Sequence, residues 1–109
     1  MAIKISGTTV IDDDRKIINY RLQTSEISTN TNAVAGTYYV ITSSLTLTLP
    51  SSPTVGDVVG ISNQSGTTTS VIARNGSNIL GLAEDLTVDK DFAAFVLQYS
   101  GSTKGWIFV

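Results

Sequence analysis

The sequence predicts an all-β protein: a small antiparallel β-sandwich or barrel, preceded by an N-terminal extended or hairpin arm. Three observations carry this. Ser and Thr supply about a quarter of the 109 residues, and Ala, Glu, Lys and Leu are modest, which is the opposite of a helical bundle. The string "LTLTLP" alternates strictly, setting Leu45, Leu47 and Leu49 on one face. Short apolar runs are separated by "NQSG", "RNGSN" and "SGSTKG", which are links of turn residues. Val, Ile and aromatics recur throughout, so the Ser/Thr content does not signal disorder. The length suits a single core.

Taken in order, Ile3, Ile5, Val10 and Ile11 lie in short β-favouring runs broken by "SGTT". "DDDR" then separates "VI" from "KIINYRLQT" and reads as a hairpin tip, because Asp forms side-chain-to-backbone turns. A helix starting near Asp12 is the rival, since Asp caps helices well, but no Ala or Leu face continues it. "TSEISTNTN", residues 24–32, reads as a polar link with almost nothing to bury. The expected division is therefore an arm over 1–32 and a β-sandwich domain over 33–109.

In that domain "GTYYVITSS" and "LTLTLP" are strands, and Pro50 ends the second because proline cannot donate to a ladder. The following turn places Gly56 and Asp57 at its close. "DVVGISN", "TTTSVIARN", "FAAFVLQYS" and "KGWIFV" are further strands, and Asn75-Gly76 is the strongest turn signal, since both residues tolerate positive φ. "NILGLAEDLTVD" reads as a loop and strand. Spacing of this kind implies an antiparallel sandwich or small barrel.

Composition excludes several kinds of chemistry. The net charge is −2 and the seven basic residues are scattered, so no nucleic-acid surface is expected. With neither Cys nor His, the chain lacks disulfides, thiolates, Cys/His zinc sites and histidine bases. No segment approaches the ~20 apolar residues of a membrane span, and "MAIKISGTTVI" carries no signal-peptide stretch; a chain without membrane insertion or export signal is expected.

The acidic clusters weigh towards turns. Asp12, Asp13 and Asp14 are consecutive and point in different directions, Arg15 and Lys16 oppose a cation, and Ile17 stands where a calcium loop needs Gly. Asp13 and Asp14 are thus structural turn residues. Glu84, Asp85, Asp89 and Asp91 sit among turn residues without a sugar-binding aromatic cluster, and solvated loop charge explains them. No Gly-x-Ser-x-Gly elbow, phosphate loop or dinucleotide fingerprint is present. No catalytic, cofactor or metal residue is expected, and the protein reads as a non-enzyme.

The apolar residues raise a question of partners. Tyr38, Tyr39, Phe92, Phe95, Tyr99, Trp106 and Phe108 fall in expected strands, and most should be core, each contributing up to ~3 kcal/mol. In the arm, Val10, Ile11, Ile17, Ile18, Tyr20 and Leu22 cannot form a core of their own in a largely polar segment of this length. They must fold back on the domain or pack against another chain, and they are the expected assembly interface.

"MAIKISGTTVIDDDRKIINY" resembles the opening of many bacteriophage tail-fibre and other virion proteins, particularly from phages of marine cyanobacteria. "LTLTLPSSPTVGDVVGISNQSG", "VIARNGSNILGLAEDLTVD" and "FVLQYSGSTKGWIFV" resemble a β-rich module of such fibres, and together the matches cover nearly the whole chain outside the link. The resemblance implies a virion component, commonly trimeric, assembled in the host cytoplasm. Its expected partners are itself, as a homotrimer, and other phage virion proteins of tail or capsid. The chain carries no repetitive shaft and no collagen-like Gly-x-y run, which brings in capsid decoration as the rival location. A carbohydrate-binding module contacting a host-surface glycan is the rival from another class, through exposed aromatics and turn acids.

Overall fold

The computed structural model describes residues 22–109 and, in the N-terminal part, the backbone of β1 (Ile3–Ile5) and β2 (Thr8–Ile11). These two strands pair antiparallel, with Ile3 opposite Ile11. The hairpin expected at "DDDR" lies outside the described residues.

From Leu22 onward the chain is all-β, with no helix among the described residues. The strands are β3 (Gln23–Ile27), β4 (Thr31–Asn32), β5 (Thr37–Ile41), β6 (Thr46–Thr48), β7 (Val58–Asn63), β8 (Ser70–Ala73), β9 (Leu86–Val88), β10 (Ala94–Tyr99) and β11 (Trp106–Phe108). They form a five-stranded sheet, ordered β11-β10-β7-β5-β3, and a four-stranded sheet, ordered β4-β6-β8-β9.

The expectation of antiparallel sheets is corrected, because both sheets are mixed. β3, β5 and β7 run parallel to one another, as do β4, β6 and β8. Only β9, β10 and β11 join antiparallel. The cause is the path of the chain, which crosses to the other sheet after each of β3 to β7. It therefore re-enters a sheet in the same direction every time. A parallel pair cannot be joined by a tight hairpin and needs a crossover, which here is a strand of the opposite sheet.

Corner bonds continue the ladders between successive passes. The Thr42 N–H donates to the Ile27 carbonyl at 2.9 Å, and the Gln64 N–H to that of Ile41 at 2.9 Å. Residues 24–32, expected as a link, instead form the first strand of each sheet. Their backbone satisfies the ladder although few of their side chains are buried.

One core lies between the sheets. Tyr39, Ile41, Val59, Ile61 and Leu97 enter it from the five-stranded sheet, and Leu47, Ile72 and Val88 from the other. The alternation read from "LTLTLP" appears as buried Leu45, Leu47 and Leu49. Trp106 is fully buried and meets Tyr99 edge-on, with ring centres 5.6 Å apart. Phe92 departs from the expected strand core: it stands in the turn before β10 and is 69% exposed.

Candidate interaction surfaces

Of the arm residues expected to form an interface, Val10 and Ile11 end β2, and Leu22 is half-buried just before β3. Ile17, Ile18 and Tyr20 lie outside the described residues, as do the turn residues Asp13 and Asp14.

The other turn residues have clear geometry. Gly56 has φ 98° and its N–H donates to the Tyr99 carbonyl at 2.8 Å. The Asp57 carboxylate accepts the Thr54 N–H at 2.9 Å, closing the turn that enters β7. Asn75 and Gly76 both have positive φ, at 50° and 93°. The Asn75 side-chain amide donates to the Leu49 carbonyl at 3.0 Å, so this turn also ties down the end of the β6 strand region. Of the acids, Asp85 accepts the Arg74 N–H at 2.9 Å. Among the described residues no group of three or more His, Cys, Asp or Glu is placed to hold a metal.

At one end of the sheets the loops are organised by Asn63, which the sequence reading set at the end of the strand "DVVGISN" and the start of the link "NQSG" without assigning it a role. Register places it in the inward row with Ile27 and Ile41, and it is wholly buried. An amide buried there must satisfy both its donors and its acceptor. Its Nδ2 donates to the carbonyls of Thr67 (2.8 Å) and Lys90 (3.0 Å). Its Oδ1 accepts from the Ser65 hydroxyl at 2.6 Å. The loop after β7 and the turn before β10 are thereby fixed to one another. Phe92 projects from that turn with φ 61°, a left-handed conformation that costs a non-glycine residue ~1 kcal/mol or more.

At the opposite end, Leu80 has φ 53° and is partly exposed, and Leu82 is exposed. They line a hollow of about 110 Å³ with Ile79, Leu86 and the carboxylates Glu84 and Asp85. That volume is well below the ~300 Å³ at which small-molecule pockets begin. Neither Phe92 nor Leu80 carries a sequence signal for its backbone, since positive φ is expected of Gly, Asn or Asp.

The two flanks of the fold differ. Beside β11, the Trp106 N–H donates to the Asn78 carbonyl at 2.9 Å and the Leu80 N–H to the Trp106 carbonyl at 2.8 Å, which closes that edge locally. On the other flank β3 and β4 are the last strands of their sheets, with no further strand paired beyond them among the described residues. β3 exposes Gln23, Thr24 and Glu26 and carries neither Lys nor Pro.

The chain matches no protein-family model and no curated protein.

Proposed function

We propose that this protein is a non-enzymatic structural module of a bacteriophage virion, of tail-fibre type. In this reading it is a β-sandwich that assembles as a homotrimer and docks on the particle through its N-terminal arm. The observation that carries it is the asymmetry of the two flanks. Among the described residues, the edge of β11 is bonded at Trp106 by the chain at 78–80, whereas no strand is paired beyond β3 and β4, where the arm enters the fold. Two terminal strands without a further partner among the described residues, beside an apolar arm, suit a module completed by neighbouring subunits. The resemblance of the N-terminal and C-terminal strings to fibre modules supports the same reading, as does a sequence without His or Cys.

The test is the copy number and position of the protein on purified particles, by quantitative mass spectrometry and immunogold labelling. The expected result is a small multiple of three copies at the tail. Copies on the order of hundreds over the head would make it a capsid decoration protein. Its absence from purified particles would contradict the virion reading altogether.

Phe92 favours a second reading, a site for a host-surface glycan. An aromatic face held out in a strained turn, beside Asp89, Lys90 and Asp91, offers a sugar ring a stacking surface and a polar rim. Glycan-array binding lost in Phe92→Ala would support it, and silence across surface polysaccharides would remove it.

A further inference from the structure

The turn at Asn75-Gly76 carries a covalent weakness. An asparagine side chain can be attacked at its amide carbon by the backbone nitrogen of the next residue. Glycine in that next place makes the attack easiest, because it has no Cβ to obstruct the approach. Of the six asparagines only Asn75 precedes a glycine; the others precede Tyr20, Thr31, Ala33, Gln64 and Ile79.

The fold leaves this attack open. Asn75 and Gly76 are both exposed, and a Cβ at Gly76 would meet open space, so no neighbour crowds the turn there. Among the described residues the Gly76 N–H donates no hydrogen bond. The Asn75 amide is held by one bond, from Nδ2 to the Leu49 carbonyl at 3.0 Å. Asn63 is the contrast: its amide is wholly buried and bonded to Thr67, Lys90 and Ser65. One exposed hydrogen bond slows a reaction that must break it by about 10-fold or less. A turn that opened only with the whole fold would be slowed by about 1,000-fold or more.

We propose that Asn75 is a site of spontaneous deamidation in the folded protein, and that the reaction unties this turn from the residue that follows β6. The Gly76 nitrogen bonds to Asn75 Cγ, and its proton leaves with the Nδ2 amino group as ammonia. A succinimide ring remains. Water opens the ring at either carbonyl and leaves aspartate or isoaspartate at 75, so one water enters for each ammonia lost. In the aspartate form the donor to Leu49 is replaced by a carboxylate oxygen, which sets acceptor against acceptor. In the isoaspartate form the backbone also gains a methylene within the turn. Either product adds one negative charge to the formal −2. The Leu49 N–H still donates to the Ala73 carbonyl at 2.9 Å, so the change frays the end of this strand and leaves the core folded.

The proposal is independent of the assembly reading, and its test uses the full chain at neutral pH, native and in guanidinium chloride. Peptide mapping by mass spectrometry reads the exchange of NH2 for OH at each asparagine, and chromatography separates isoaspartate from aspartate. The gain is expected at Asn75 ahead of every other asparagine, with a native rate within about 10-fold of the denatured one. It should vanish in Asn75→Gln, whose longer side chain closes a larger ring far more slowly. Hydrogen exchange of the Leu49 amide is expected to be about 10-fold faster in the aged native chain than in the fresh one, and Asn75→Asp should reproduce the rise. A native rate further below the denatured one, a gain that starts at another asparagine, or a Leu49 amide equally protected in fresh and aged chains overturns the proposal.

Discussion

Asn63 and Lys90 lie 27 positions apart, and the side-chain amide of Asn63 donates to the Lys90 carbonyl at 3.0 Å. With its bonds to Thr67 and Ser65, this makes one buried side chain the tie between two loops.

Asn63→Leu is therefore expected to lower stability by about 3 kcal/mol, since it removes several bonds and strands the groups they satisfied. Asn78→Ala, whose amide makes one exposed bond to Thr103 at 3.2 Å, is expected to cost about 1 kcal/mol or less. Urea titrations of the two variants check the contrast. Equal losses would mean that the Asn63 network contributes nothing special.

Gly105 and Gly76 both have positive φ, at 68° and 93°, but only Gly105 is crowded. A Cβ there would run into the Asn78 backbone, whereas at Gly76 it would meet open space. Gly105→Ala is expected to cost more than about 3 kcal/mol and Gly76→Ala about 1 kcal/mol, by thermal or chemical denaturation.

Gly60 meets a side chain that can move, so its substitution behaves differently. Gly60→Ala is expected to cost about 1–3 kcal/mol on its own by overpacking the Tyr38 ring. In the Tyr38→Ala background the same change should cost at least about 1 kcal/mol less. A double-mutant cycle measures this, and additive losses would show that the two residues do not meet.

The alternation of "LTLTLP" gives the next expectation. Leu47 is fully buried and Thr46 faces outward, so Leu47→Ala should cost about 3 kcal/mol and Thr46→Ala about 0.5 kcal/mol or less.

That alternation also marks what the sequence makes legible. Leu45, Leu47 and Leu49 declare an inward face because side chains alternate across any strand. Period two says nothing of strand direction, however, and the parallel winding of β3 to β8 leaves no local trace. Turn residues misled in the same way. Asn75-Gly76 is a true turn, yet it leads into residues 77–85 and not straight into a hairpin partner. Residues 24–32 look like a link because an edge strand needs only its backbone bonded, so polar side chains such as Gln23, Thr24 and Glu26 conceal it. Asn63 sits where the strand "DVVGISN" meets the link "NQSG", and its burial depends on Lys90, which no local pattern connects to it.

The central claim is that this chain works as an assembled structural module, and its mass in solution tests that most directly. Sedimentation equilibrium of the full chain should give a species of three times 11.5 kDa across the micromolar range. A single species of 11.5 kDa that persists as concentration rises would contradict the account.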